Sequence, residues 1–251
     1  MKIKKEALTG IIIILAAVFG ITAMYHLKRQ SARNDIAARI AELMPRGGGP
    51  PSTIEDLKKA IALYEEKIEL HVKDAAQTAV YWKILATRLQ DRGLHNQALE
   101  ALERAVYYAP EDAVLYYLSG LSAAKIAKNA LDFSGNGDLT VQARHYALAE
   151  QSYLRAIALD ERYLRPRYGL AILYVYELGR PAEAIPHLVK YLEISTVDTD
   201  AMFVLAAAYY MTEAYQDALD MYDRIIAATK DTTRKAKAEE LKQAVLRAYY
   251  G

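Results

Sequence analysis

The fold is decided by the stretch Trp82–Pro110, which reads WKILATRLQDRGLHNQALEALERAVYYAP. Apolar residues recur in it at steps of three and four on both sides of a short polar break that contains Gly93. This spacing is typical of two amphipathic helices joined by a tight turn. The small residues Ala86, Ala98 and Ala105 predict that the two helices pack closely against each other.

The same pattern returns along the rest of the chain with a period of about 34 residues, which indicates a repeat architecture. Two departures interrupt it, because about 17 residues are inserted in the second copy and one is added near Gly179. The predicted boundaries are a half-repeat over 54–74, repeats over 79–112, 113–163 (with the insertion), 164–198 and 199–232, and a charged capping helix over 232–250. We therefore predict an all-α solenoid of helix–turn–helix repeats over 54–251.

The motif W-x2-L-A-x2-L followed by A-x3-L-x2-A-x4-P resembles the tetratricopeptide repeat (TPR). In the first repeat it is carried by Trp82, Leu85, Ala86 and Leu89, then by Ala98, Leu102, Ala105 and Pro110. The resemblance covers about residues 54–250. It implies a TPR-like α-solenoid whose concave face binds other proteins, an architecture that rarely carries catalysis itself.

The resemblance also implies which side chains line the concave groove, because the first helix of each repeat faces it. The groove so implied is rich in tyrosine and carries several basic residues. The predicted partner-binding residues are Lys83, Tyr117, Lys125, Arg165, Tyr168, Ile172, Tyr176, Phe203, Tyr210 and Met211. Rigid aromatic rings give large contact areas at low entropic cost. We expect a protein segment in the groove, with a small apolar ligand held among the tyrosines as the alternative.

A special form of this groove, found in chaperone-binding members of the family, holds a terminal carboxylate with two basic residues and two asparagines. Lys83 and Arg165 stand at matching basic positions. However, Thr87 and Leu118 occupy the places of the asparagines, and Gly169 replaces a further basic residue. The clamp is incomplete, so chaperone-tail binding is not expected.

The amino terminus carries a second signal, the uncharged run Leu8–Tyr25. A helix of this length measures about 27 Å, enough to cross a thin hydrocarbon core. We predict a basic tail over 1–6 and a single-pass transmembrane anchor over 7–25, with a cleaved signal peptide as the alternative. Basic residues flank the run on both sides, so the positive-inside rule leaves orientation open. A short tail before a first apolar segment resembles a bacterial signal-anchor, which favours an inner-membrane protein whose repeats face the periplasm.

Between the anchor and the repeats, the sequence predicts an amphipathic juxtamembrane helix over 26–45. Ile36, Ile40 and Leu43 lie on one face of this helix. It is either a stalk or a docking helix for the membrane surface or a partner. Glycines and prolines over 46–53 then predict a hinge.

The insertion in the second repeat contains a pattern that resembles the first part of an EF-hand calcium loop. Its candidate oxygen ligands are Asp132, Ser134, Asn136 and Asp138. The position normally held by a bidentate glutamate is Ala143, so the ligand set is incomplete. We therefore favour a polar turn between two lengthened helices over a calcium site.

Composition argues against several functions. The chain has 32 basic and 31 acidic residues, so no net field draws nucleic acid. It has no cysteine, which excludes disulfides, zinc–thiolate sites and thiol nucleophiles. The five histidines are scattered, and no nucleophile elbow or phosphate loop is present. We expect a non-enzymatic protein without cofactor that binds proteins and a membrane, and the tyrosine-rich faces are compatible with self-association.

Overall fold

The structure is a computed structural model that describes residues 5–43, 54–133 and 139–250. Within these ranges the side chains at 5–19, 26, 29, 32, 33, 54, 55, 57, 131–133, 139 and 140 are outside the description. The described helices are α1 (Lys5–Leu43), α2 (Ile54–Asp91), α3 (His95–Tyr108), α4 (Ala113–Phe133), α5 (Leu139–Leu159), α6 (Arg165–Ile172), α7 (Pro181–Ile194), α8 (Thr199–Met211), α9 (Tyr215–Ala228) and α10 (Thr232–Tyr250). The chain divides into two compact units, Met1–Ala75 and Ala76–Gly251.

The first unit has a small core of its own between α1 and the beginning of α2. Ile36 and Ile40 of α1 are buried with Leu63 of α2, and Leu43 and Leu70 pack against them. The apolar face predicted for a stalk or docking helix is therefore covered by α2. A face used in this way is not free to lie on a membrane surface.

Two predicted boundaries are absent because the helices run through them. The juxtamembrane helix predicted over 26–45 is the end of α1, which is continuous to Leu43 since no glycine or proline interrupts 26–43. The half-repeat predicted over 54–74 continues into the repeat predicted from residue 79, and both form α2. Alanines at 75, 76 and 79 favour this continuation. The hinge predicted over 46–53 lies outside the described residues.

The predicted membrane anchor falls mainly on residues whose side chains are not described. The backbone of α1 is helical from Lys5 through the run Leu8–Tyr25. In the part of the chain whose placement is described, no helix is long and apolar enough to cross a membrane. The side chains of 5–19, which supply most of the uncharged run, are not in that part.

The second unit is a solenoid in which each helix packs on the next one in sequence, from α3 to α10. Small residues make the close helix contacts possible, and Ala86, Ala105, Ala149 and Ala184 are fully buried. The helices α4, α6 and α8, each the first of its repeat, also contact one another. They therefore form one layer of the solenoid, and α5, α7 and α9 form the other.

The insertion lengthens both helices of the second repeat. α4 and α5 each have 21 residues, whereas α8 and α9 of the fourth repeat have 13 and 14. The candidate calcium ligands Asp132, Ser134, Asn136 and Asp138 lie outside the described side chains. Among the residues that are described, no group of histidine, aspartate or glutamate side chains is arranged to hold a metal ion.

The residue added near Gly179 coincides with a π-helical turn, Leu173–Glu177, which continues α6. The amide of Leu178 donates to the carbonyl of Leu173, five residues earlier, at 3.0 Å. A π-turn is the way in which a helix accommodates one extra residue, and such turns are frequent at functional sites. The shift in the sequence pattern therefore has a local structural cause.

Candidate functional site

The site is a pocket of about 480 Å³ between α4 and α6, within the second unit. Side chains of α4 and α6 form its walls. Tyr153 of α5 and Tyr191 of α7 reach into it from the second layer. Its apolar walls include Leu121, Ile172 and Leu173.

The floor of the pocket is the ring of Tyr153, which lies between two glycines. A Cβ atom at Gly120 would come within 2.6 Å of this ring, and one at Gly169 within 3.0 Å. Any other residue at Gly120 would therefore displace the ring. Only 3% of Tyr153 is exposed. The two glycines let a large aromatic side chain fill the space beneath the groove.

The other tyrosines of the pocket are held by aromatic contacts and hydrogen bonds. Tyr168 stacks on Tyr191 with ring centres 5.3 Å apart. The hydroxyl of Tyr191 donates to Asp198 at 2.7 Å. Tyr117 lies 6.1 Å from Tyr153, measured between ring centres. This fixes the positions of the rings before any ligand arrives, which lowers the entropic cost of binding.

Burial shifts the titration of these tyrosines further above the neutral range. It raises the pKa of Tyr168 to about 12, with a further contribution from the nearby carboxylates of Asp200 and Asp198. Burial also raises the pKa of Tyr153, and the neighbouring Tyr117 adds to the effect. These hydroxyl groups are uncharged at neutral pH, as tyrosine is at its ordinary pKa, and they stay hydrogen-bond donors into the alkaline range.

The charges of the pocket are predominantly positive. Lys125, Lys128 and Arg165 line it, and Glu177 is the acidic residue among its lining side chains. Glu177 accepts a hydrogen bond of 2.5 Å from Tyr146 and lies 3.9 Å from the ammonium group of Lys128. Its charge is therefore largely engaged within the protein, and the pocket favours a negatively charged group.

Five of the ten residues predicted for the groove line this pocket. They are Tyr117, Lys125, Arg165, Tyr168 and Ile172. Lys83 lies in an adjoining depression of about 400 Å³ that also includes Tyr117 and Arg165. Its ammonium group is paired with Asp112 at 2.9 Å, so this cation serves the contact between α2 and the start of α4.

The remaining four predicted residues lie outside the pocket. Phe203 is half-buried and contacts Tyr222, with ring centres 6.3 Å apart. Tyr176, Tyr210 and Met211 are exposed by 56%, 43% and 48%. Three of these four side chains are therefore accessible for contact.

Eight of the thirteen lining residues are not among those predicted, and four of the eight have polar or charged side chains. Tyr153 and Tyr191 belong to the second helices of their repeats, which the family resemblance does not place in the groove. Lys128 lies almost one turn beyond the predicted Lys125, and Glu177 directly follows the predicted Tyr176 at the end of the π-turn. The glycine at 120, where the first repeat has Ala86, is the sequence signal that a large ring approaches α4.

Comparisons with known proteins agree with this fold. The model of the tetratricopeptide repeat family matches residues 176–242. A TPR repeat-containing protein of Borreliella burgdorferi is 23% identical over 218 residues, which cover 86% of this chain and 88% of that protein. Anaphase-promoting complex subunit 3 of Schizosaccharomyces pombe is 27% identical over 143 residues, or 57% of this chain, but they represent only 19% of that protein.

Solved structures show the same architecture at low sequence identity. The crystal structure of MamA superposes with a TM-score of 0.51 at 22% identity and covers 74% of this chain and 98% of that one. The structure of YrrB, a TPR protein with an unusual peptide-binding site, gives 0.51 at 21% identity over 74% of this chain and 85% of that one. At this identity the likeness concerns the fold alone.

The helical repeats and these matches define the class of the protein. The predicted all-α TPR-like solenoid is confirmed, and the tetratricopeptide repeat family is supported by the family model, the relative and the solved structures. This fold is typical of protein–protein interaction scaffolds, whose repeats form extended concave binding surfaces.

Proposed function

We propose that the protein is a membrane-tethered scaffold that binds a segment of a partner protein in the groove between α4 and α6. The observation that carries the proposal is the tyrosine-lined pocket, whose rings are fixed by packing and whose rim carries unneutralised positive charge. Preorganised aromatic side chains in a concave site are typical binding hot spots. The proposal assigns the protein no enzymatic activity and no cofactor.

Cross-linking in the native membrane tests this function. A photoreactive amino acid replaces Tyr168 in the groove, and the matched control places it at Tyr107, which is 79% exposed on α3. We expect one dominant protein adduct at position 168 that is absent at position 107. Equal adducts at both positions, or none at 168 in a folded protein, would contradict binding in the groove.

The tether in this proposal is α1. Its support is the uncharged run Leu8–Tyr25, the basic residues on both sides and the helical backbone across the run. We further propose that the repeats face the periplasm of a bacterial cell. We expect the full-length protein to stay in the membrane pellet at alkaline pH, and its repeats to be cleaved by protease only after the outer membrane is opened. Release of the protein from the pellet at alkaline pH would contradict the tether. Protection of the repeats from protease after the outer membrane is opened would show that they face the cytoplasm.

One observation favours a second candidate function, the delivery of a small apolar ligand. The pocket volume of about 480 Å³ falls within the range of small-molecule sites. Native mass spectrometry of the purified full-length protein tests this. A stoichiometric bound small molecule that is lost in the Tyr168→Ala variant would favour the ligand-delivery function. If no small molecule is bound, the scaffold function is favoured.

A further inference from the structure

The pocket carries positive charge towards both ends and apolar groups between them, and this pattern specifies its occupant. The inference rests on the proposed binding of a protein segment in the groove, and it concerns the chemistry of that segment. Arg165 belongs to one end, at the first turn of α6, and Lys125 belongs to the other, on α4.

The two ends are identified by their neighbours. Arg165 lines both the main pocket and the adjoining depression, together with Tyr117 near the start of α4. Lys125 lies eight residues further along α4 than Tyr117. At 1.5 Å per residue, Lys125 lies about 12 Å along the helix axis from Tyr117. Because Arg165 shares its end of the pocket with Tyr117, the two cationic ends are separated by about the same distance.

The positive charges of Lys125 and Arg165 are not neutralised by ion pairs with described residues. Within the described part of the chain, neither Lys125 nor Arg165 forms an ion pair with a carboxylate. Glu177, the acidic residue of the pocket, already accepts from Tyr146 and lies beside Lys128. Two carboxylates of a ligand would therefore meet unpaired cations at the two ends.

The middle of the pocket fits a large apolar side chain. Leu121 and Ile172 stand on opposite walls, and the ring of Tyr153 forms the floor. Among the described residues the Tyr153 hydroxyl has no hydrogen-bond partner. This group is therefore left to bond a backbone carbonyl of the occupant or a water molecule.

We propose that the groove binds an extended internal segment of a partner with two acidic residues about four positions apart and a large apolar side chain between them. The spacing follows from the distance between the cations, because an extended chain advances about 3.3 Å per residue. Both carboxylates of the proposed segment are side chains, whereas a segment that ended in the groove would supply one of them as its α-carboxylate.

Selection from a peptide library tests the proposal. Random nine-residue sequences are displayed between two linkers, so that no free carboxyl terminus is present, and are selected on the full-length protein in nanodiscs. We expect enrichment of two acidic positions about four apart around a large apolar residue. Enrichment without this spacing, or no enrichment, would overturn the inference.

Charge reversal makes the test specific for the two cations. Lys125→Glu is expected to weaken an enriched peptide at least about tenfold, as for the loss of a charge-assisted hydrogen bond. It should also restore binding when the matching acidic residue of the peptide becomes lysine. Lys190→Glu makes the same change on α7, outside the pocket, and should leave affinity unchanged. Equal weakening by both variants, or no restoration, would overturn the assignment.

The other outcomes separate this inference from the proposed function. If no acidic pattern is enriched but Tyr168 still cross-links to one protein, the groove binds a partner of different chemistry. If palmitate displaces a fluorescent fatty acid from the groove and no peptide does, the occupant is a small anionic amphiphile and the inference is wrong. Failure of both the cross-link and the selection would remove the proposed function together with the inference.

Discussion

Tyr153 illustrates how single residues shape the groove. The absence of a side chain at Gly120 and Gly169 lets its ring lie between α4 and α6. In most helices an exchange of glycine for alanine is stabilising by about 1 kcal/mol, because alanine restricts the unfolded chain. At Gly120 the Tyr153 ring occupies the space that a Cβ atom would need, so the ordinary preference is reversed there.

We predict that Gly120→Ala lowers the free energy of unfolding by about 1–3 kcal/mol, because the new Cβ would lie 2.6 Å from the Tyr153 ring. Denaturant unfolding of the full-length protein measures this. In the Tyr153→Leu background the same substitution should cost less, since the smaller side chain leaves room. Additive effects of the two substitutions would contradict the direct contact.

His187 links stability to pH at the residue scale. Burial is the main cause that lowers its pKa, and the positive charge of Arg167 adds to it, whereas Glu183 opposes it. Arg167 is itself buried, and Tyr174 lies over the imidazole at 6.1 Å between ring centres. As pH is lowered, His187 is therefore protonated in the unfolded chain, at a pH near 6.5, before it is protonated in the folded protein.

We predict that the melting temperature falls as pH is lowered from 8 to 5, with the loss beginning near pH 6.5. Stability from neutral His187 is fully present above that pH and decreases as the unfolded state becomes protonated. His187→Gln should flatten the profile. Because burial also lowers the pKa of His95, the comparison is repeated in a His95→Gln background. A profile that His187→Gln leaves unchanged would show that this histidine is not the cause.

At the scale of the elements, the turns within the first, third and fourth repeats, which lie among the described residues, share one backbone feature. Gly93, Gly179 and Glu213 all have positive φ, at 73°, 62° and 61°, and each lies between the two helices of its repeat. Glycine adopts this conformation without steric cost, whereas a residue with a Cβ does not. The turn of the fourth repeat is therefore strained at Glu213.

We predict opposite effects of exchanges at these turns. Gly179→Ala should destabilise the protein by about 1–2 kcal/mol, the cost of a Cβ in the left-handed region. Glu213→Gly should stabilise it by up to about 1 kcal/mol, because the relief of strain exceeds the added entropy of the unfolded chain. Thermal unfolding of both variants beside the parent distinguishes them, and effects of the same sign would contradict the argument.

Sequence reasoning recovered the repeat fold because the repeat pattern is local and periodic. Half of the predicted groove residues lie in the pocket because the first helices present their faces with regular spacing. Tyr153 could not be placed in this way, since its reach into the pocket depends on the glycines of α4 and α6, and Tyr191 could not because it reaches the pocket by stacking on Tyr168. The continuity of α1 and α2 was also missed, because breaks in a repeat pattern need not be breaks in the backbone.

At the scale of the whole solenoid, stability depends on contacts between successive helices, so the apolar face of α9 needs a neighbour. α10 covers it: Ala238 and Val245 are buried, and Leu241 packs on the same core. Arg234 of α10 also forms an ion pair of 2.6 Å with Asp200 at the start of α8.

We predict that removal of residues 231–251 exposes the apolar face of α9 and makes the protein associate. Light scattering after size exclusion should show larger species, and the melting temperature should fall, because each repeat is stabilised mainly by its neighbours. Arg234→Ala is the matched control, since it removes an ion pair of α10 without uncovering the core. Because this pair is exposed to solvent, its loss should change the melting temperature little and leave the size unchanged. If the control associates as strongly as the truncation, the charge of α10 rather than its apolar face keeps the molecules apart.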